Sequence, residues 1–144
     1  MKMKRNTASA VSGILMDTKI NKVADGFAKK NLFRAFTLTR KVSKELAEDA
    51  EAIREKFRQD WADEFDIIRK LRDDRLPVVG HDDYLKAEAE ANEALRELGE
   101  NDVELDINTA PVECLQDPDL WGENDTLGQI GAKIDYLADN GILT

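Results

Sequence analysis

Cysteine and histidine are almost absent from this sequence of 144 residues, which contains one of each, Cys114 and His81. A single cysteine excludes a disulfide within the chain and favours a reducing compartment. The two side chains show neither a zinc-ligand spacing nor a catalytic-thiol motif, so we expect no catalytic residue, no metal site and no cofactor. We expect Cys114 to be half-buried in an apolar role, and the two Asp residues after His81 to cap a helix.

Long apolar runs are missing as well. A short apolar stretch near the amino terminus, residues 11–16, is interrupted by Ser12 and Gly13. This pattern predicts neither a signal peptide nor a membrane-spanning segment, so we expect a cytoplasmic protein with no membrane partner. The three prolines and eight glycines are scattered, which argues against both a disordered chain and a phosphate-binding loop.

Charged side chains, by contrast, make up 35% of the sequence, and the net charge is −9. Residues 1–44 carry eleven Lys or Arg and two Asp, a net +9. Residues 45–144 carry ten Lys or Arg and 28 Asp or Glu, a net −18. The two parts either neutralise each other in the fold or present a basic end or an acidic surface to a partner.

Helical spacing is strongest between residues 29 and 71, a stretch without proline or glycine. Apolar residues recur there mostly every three or four positions: Leu32, Phe36, Val42, Leu46, Ala50, Ile53, Phe57, Trp61, Phe65 and Ile68. The pattern predicts a long helix over about residues 29–74, with a break near Asp60 or Asp63. A second helix over residues 83–98 follows, and the two are predicted to form a long antiparallel hairpin with a coiled-coil-like seam.

Short elements complete an α+β fold that is mainly α. The alternating acidic segment Val103-Glu104-Leu105-Asp106-Ile107 and the alternating basic residues 1–6 are predicted to pair as strands over 1–6 and 102–107. The pattern also allows a strand over residues 19–23. It predicts a loop over residues 108–124, and a single domain over residues 1–144.

Two further helices are predicted near the chain ends. Residues 8–16 form one of them, with Ala8, Val11 and Leu15 on its inward face. The other is a C-terminal helix that begins after Asp125 or Thr126 and stops at Asn140-Gly141 in a Schellman-like turn.

The apolar stripe of the long helix is larger than a short hairpin can cover. At roughly 25 cal/mol per Å² of buried apolar surface, a small core leaves little surplus over chain entropy. We therefore predict a partner-binding surface made by Phe57, Trp61, Phe65 and Ile68. The expected partner is a protein, either a second copy in an oligomer or another protein.

Two alternatives involve nucleic acid. The basic patch formed by Lys30, Arg34, Lys41 and Lys44 suits phosphate contacts, although the chain as a whole is acidic, with a pI near 4.7. The acidic residues in 45–74 and 82–106 suit the opposite role, a surface that mimics DNA. The Lys and Arg residues interspersed among these acids argue against mimicry.

Several segments together resemble a known group of proteins. They are Met1-Lys2-Met3-Lys4, Ala35-Phe36, Ile53-Arg54-Glu55-Lys56-Phe57, Glu93-Ala94-Leu95-Arg96-Glu97-Leu98, the strand segment over residues 103–107, and the helix at the end. In this order the chain is similar to an uncharacterised family of small proteins from tailed phages and their prophages. The resemblance implies a phage setting and a structural, assembly or host-interaction role. Together with the missing catalytic motifs and the missing signal peptide, it leads us to expect a protein of the host cytoplasm or the virion that is not an enzyme and has a structural or assembly role. The alternative is an inhibitor of a host defence or nucleic-acid-processing protein.

Overall fold

The computed structural model describes residues 1–144 and shows a mainly helical chain with one small sheet. Its elements, in chain order, are β1 (Lys2–Lys4), α1 (Arg5–Met16), α2 (Gly26–Asp60), α3 (Ala62–Asp73), α4 (Asp82–Glu100), β2 (Asp102–Glu104) and α5 (Leu127–Asp139). The predicted class, α+β with helices dominating, is confirmed. None of the helices combines the length and the apolar character that crossing a bilayer requires.

The contacts within the chain gather into two compact units. The terminal unit contains Met1–Glu45 and Asn101–Thr144, and the middle unit contains Leu46–Glu100. Helix α2 contributes to both units. The single domain over residues 1–144 that the sequence predicts stays a prediction. All but two of the buried apolar side chains lie in the terminal unit, so this unit holds the main hydrophobic core.

The sheet of the terminal unit confirms the predicted pairing of the two charged strands. β1 and β2 are antiparallel, with Lys2 opposite Glu104 and Lys4 opposite Asp102. The Nζ atom of Lys2 lies 3.4 Å from a carboxylate oxygen of Asp102. Opposite charges across a strand pair stabilise the pairing. Met3, between the two lysines, points to the other face of β1 and is buried in the core. Both strands are shorter than predicted, because α1 begins at Arg5 and the ladder ends at Glu104.

Helix α1 buries the face predicted from its spacing, since Ala8, Val11 and Leu15 are all buried. Helix α5 begins with a capping box, in which the Thr126 hydroxyl accepts from the Gln129 amide and the Gln129 side chain accepts from the Thr126 amide. The amide of Ile142 donates to the carbonyl of Leu137, and the amide of Gly141 to that of Ala138. These two bonds form the predicted Schellman turn, for which Gly141 adopts a φ of 77°.

Two predictions for irregular segments need correction. Residues 19–23 form no strand, because Ile20–Lys22 make a 3-10 turn that buries Ile20. Residues 108–124, predicted as a loop, contain two further 3-10 turns, Val112–Leu115 and Pro118–Leu120. They position Trp121, whose indole N–H donates to the Leu115 carbonyl at 2.8 Å, so its ring is fully buried in the core.

The long apolar stripe forms two helices, with the break at Trp61. This residue has a φ of −126° and a ψ of 32°, outside the helical region, and α3 begins at the next residue. Arg58 in the last turn of α2, and Asp63 and Glu64 in the first turn of α3, complement the dipoles of the two helix ends. The charge pattern therefore supports a break between Asp60 and Asp63, the two positions that the sequence predicts.

The predicted antiparallel hairpin consists of α4 and the last part of α2. The Phe57 ring lies 5.2 Å from the Tyr84 ring near the start of α4, whereas Ile53 shares a groove with Leu95 near its end. Residue numbers therefore fall along α2 as they rise along α4, which confirms the antiparallel arrangement.

Helix α3 is a third element of the middle unit and runs along α4 in the same direction. Glu64 in its first turn contacts His81, just before α4, and Arg72 in its last turn pairs with Glu88. The chain leaves α3 through a Schellman-type turn in which Arg75 has a φ of 56°. Residues 74–81 then connect α3 to α4, which begins at Asp82.

Candidate protein-binding groove

The middle unit is organised around one buried aromatic side chain, Tyr84, which is only 1% exposed. The ring of Phe57 lies 5.2 Å from it in a tilted arrangement, and the ring of Trp61 lies 5.8 Å away, edge-on. Both are favourable geometries for aromatic pairs. Burial raises the pKa of the Tyr84 hydroxyl above its usual value, so the hydroxyl stays protonated.

A salt bridge beside Tyr84 links α3 to α4. Two nitrogens of the Arg72 guanidinium donate to the two oxygens of Glu88, each at 2.8 Å. This bidentate contact lowers the pKa of the Glu88 carboxyl below its usual value. Near the start of α4, the Nδ1 atom of His81 lies 3.3 Å from a Glu64 oxygen. The aromatic cluster and these contacts fix the three helices of the unit.

An open groove lies where α3 leaves part of the α2–α4 pair uncovered. Its floor is apolar, with Ile53 and Phe57 from α2 and Ala91 and Leu95 from α4, and Phe65 of α3 also lines it. The space measures about 200 Å³.

The rim of this groove is polar and charged. Arg54 and Arg58 stand on the α2 side, and Glu88 and Asn92 on the α4 side. Arg58 makes exposed contacts with Glu51 and Glu55 at 3.3 and 3.5 Å. An apolar floor with a charged rim is the composition found at interfaces between proteins.

Of the four residues predicted to bind a partner, two line the groove and two do not. Phe57 and Phe65 line the groove and are half-buried. Trp61 is half-buried against Tyr84 and does not line the groove. The prediction is wrong for Ile68, which is 0% exposed because α3 folds back onto α4 and encloses it. An uncovered apolar side chain on α3 is its neighbour Ile67, which is 50% exposed.

The predicted basic patch lies in the terminal unit, on exposed positions of α2. Arg34 is already occupied, because its guanidinium donates to the carboxylate of Asp106 at 2.7 Å and to its carbonyl at 2.8 Å. The side chains of Lys30, Lys41 and Lys44 are exposed. The patch is therefore weaker than the sequence suggests, since one of its four charges is neutralised within the fold.

Cys114 is half-buried, as predicted, at a surface cavity of about 380 Å³ in the terminal unit. Burial is the main cause that raises the pKa of its thiol, and the negative charge of Asp25 adds to it. A raised pKa keeps the thiol protonated and poorly nucleophilic. No three His, Cys, Asp or Glu side chains come together in a metal-binding group.

The partner-binding residues predicted from the sequence include groove residues of α2 and α3 but none of α4. The apolar spacing marks Phe57 and Phe65, and it includes Ile53 as a stripe position. Ala91 and Leu95 are apolar residues four positions apart in the second predicted helix, but this spacing does not show that they form a groove. The sequence gives no indication that Arg54 is a groove residue, because Arg54 lies at the rim only once α4 has packed beside α2.

No protein-family model matches this chain, and neither a curated protein nor a solved structure matches it.

Proposed function

We propose that this chain is a non-enzymatic phage protein that acts through protein–protein contacts, as a structural or assembly component. The observation that carries the protein-contact part is the groove of the middle unit, with its apolar floor and charged rim. The phage setting rests on the resemblance of the sequence segments described above.

The size of the groove supports a protein partner over a small molecule. Its volume of about 200 Å³ lies below the roughly 300–1,000 Å³ of typical small-ligand sites. It suits one or two apolar side chains projecting from a partner helix. Helix-in-groove binding uses such anchors at helical spacing, with polar contacts around them.

The alternative function is inhibition of a host defence or nucleic-acid-processing protein, in which an acidic surface would imitate DNA. The acidic balance of the middle unit favours it, because residues 46–100 carry nine Lys or Arg and 17 Asp or Glu. Several of those acids, however, are paired with cations in the same unit, among them Glu93 with Arg96 at 2.6 Å. This pairing reduces the surface charge that mimicry requires.

The two functions differ in where the protein is found during infection. Quantitative mass spectrometry of purified particles and of the infected-cell lysate measures the copy number in each. A fixed number of copies per particle supports the structural or assembly role. Absence from particles, together with stoichiometric co-purification with one host enzyme, would replace this proposal with the inhibitor.

A pair of variants tests whether the groove mediates the contact. Phe65→Ser removes one of the large apolar side chains that line the groove, whereas Ile67→Ser changes an exposed residue two positions along the same helix. We expect the first variant to be folded by circular dichroism but excluded from particles, and the second to be incorporated normally. Normal incorporation of a folded Phe65→Ser protein would show that the groove is not the contact surface.

A further inference from the structure

The charge and shape of the groove also indicate what kind of partner it takes. Resting on the protein-contact function proposed above, we propose that the groove binds an acidic amphipathic helix of a partner protein. The apolar face of that helix would lie on Ile53, Phe57, Ala91 and Leu95, and its carboxylates would face Arg54 and Arg58.

The apolar residues of the groove floor are spaced by one helical turn along each helix. Ile53 and Phe57 are four residues apart on α2, and Ala91 and Leu95 are four residues apart on α4. Each pair spans about 6 Å along its helix, close to one helical turn. A partner helix with apolar residues three or four positions apart would therefore place successive side chains along the groove.

The rim selects for negative charge. Arg54 makes no ion pair within the chain, and the contacts of Arg58 with Glu51 and Glu55 are exposed and long, which makes them weak. Glu88 is the acid of the rim, and its charge is balanced by the two hydrogen bonds from Arg72. The rim thus offers one arginine without an ion-pair partner, Arg54, and one with weak partners, Arg58.

The surroundings of the groove sharpen this selection. The middle unit carries a net charge of −8, from nine Lys or Arg and 17 Asp or Glu. The net charge of this surface repels an acidic helix, whereas the two rim arginines attract it at the groove. Repulsion elsewhere and attraction at one place fix the position of the partner.

Binding of two designed peptides to the full chain tests this proposal. Both peptides are helical, about 18 residues long, with the same leucines at alternating three- and four-residue spacing. One carries Glu at the flanking positions and the other carries Lys. Fluorescence anisotropy of the labelled peptides should show saturable binding of the Glu peptide, weakened by added salt, and much weaker binding of the Lys peptide.

Matched variants locate the binding on the rim. Arg54→Glu reverses a rim charge, whereas Lys56→Glu makes the same charge change on the same helix at a residue that does not line the groove. We expect Arg54→Glu to weaken binding of the Glu peptide roughly three- to tenfold and to strengthen binding of the Lys peptide. Lys56→Glu should change both affinities much less. Circular dichroism confirms that each variant is folded.

Several results would overturn the acidic-helix proposal. One is equal binding of the two peptides to the wild-type protein, and another is no binding of the Glu peptide by the folded chain. A third is a mass that doubles with concentration in the wild type but not in Phe65→Ser, which would assign the groove to a second copy. Peptide binding with the expected charge preference, but without incorporation into particles, would instead refute the assembly role and leave this inference intact.

Discussion

Replacement of Tyr84 by alanine should unfold the middle unit while the terminal unit remains folded. Burial of a tyrosine side chain removes about 150–200 Å² from water, which corresponds to roughly 4–5 kcal/mol at 25 cal/mol per Å². Loss of large aromatic side chains from cores costs about 3–5 kcal/mol in practice. Tyr84 and Ile68 are the only buried apolar side chains of this unit, so few other contacts replace what is lost.

The size of this loss decides the outcome. A unit of about 55 residues has a stability of roughly 3–8 kcal/mol at 0.05–0.15 kcal/mol per residue. Removal of about 3–5 kcal/mol takes all of this stability at the lower end of the range and roughly half of it at the upper end, so the unfolded fraction of the unit rises steeply. The core of the terminal unit, around Trp121 and α5, does not contain Tyr84 and keeps its contacts.

Hydrogen–deuterium exchange with mass spectrometry distinguishes the two units directly. In Tyr84→Ala, peptides from α3 and α4 should exchange almost as fast as an unfolded chain, while peptides from α1 and α5 should keep their wild-type protection. Tyr84→Phe is the matched control, because it keeps the ring and loses only the hydroxyl, at a cost of about 1 kcal/mol. Unchanged protection of α4 in the alanine variant, or equal loss in both units, would refute this reasoning.

Three smaller predictions concern single contacts. The pKa of Glu88 lies below its ordinary value of 4.5, so its salt bridge stabilises the fold at neutral pH, and this contribution of about 1 kcal/mol is lost as the pH falls through that lowered pKa. Urea unfolding between about pH 6 and 3 should therefore show a smaller acid-induced loss in Arg72→Gln than in the wild type, and equal losses would contradict the assignment. Thr126→Ala removes the capping box of α5 and should cost about 1 kcal/mol, measured as a lower melting temperature, whereas Thr126→Ser should restore most of it. Arg75→Gly should raise the stability of the middle unit by up to about 1 kcal/mol in urea unfolding, because Arg75 occupies the left-handed region, and a decrease would show that its side chain matters more than its backbone.

The sequence was most informative where two signals coincide on the same residues. The pairing of the two strands was predicted from alternation of apolar residues together with the opposite charges of the two segments. The structure confirms the pairing and shows its register, with Lys2 opposite Glu104. The C-terminal helix follows from apolar spacing together with a cap at Thr126 and a stop at Gly141. In both cases charged, capping or glycine residues in the element itself specify where it starts or ends or which segment it pairs with. These features can therefore be predicted without knowledge of the tertiary packing.

The partner surface was less predictable because apolar spacing shows which face of a helix is buried, but not what covers it. Ile68 belongs to the same stripe as Phe65, yet the first is enclosed and the second lines an open groove. Ile68 and Phe65 differ in exposure because the chain reverses direction at Trp61, so that α3 packs back against the other helices of the unit. Neither proline nor glycine marks this break, and only the charges around it indicate where one helix ends and the next begins.

The return of α3 also depends on the connection to α4. Residues 74–81 span up to roughly 26 Å when extended, at about 3.3 Å per residue, whereas the twelve residues of α3 rise about 18 Å. The connection is therefore long enough to run back along α3, so that α4 starts beside the first turn of α3, as the contact between His81 and Glu64 requires. A short connection would have forced α3 and α4 to be antiparallel, with α3 as a straight extension of α2. In that arrangement Phe65 would stand about 18 Å from Ile53, and the two could not line one groove.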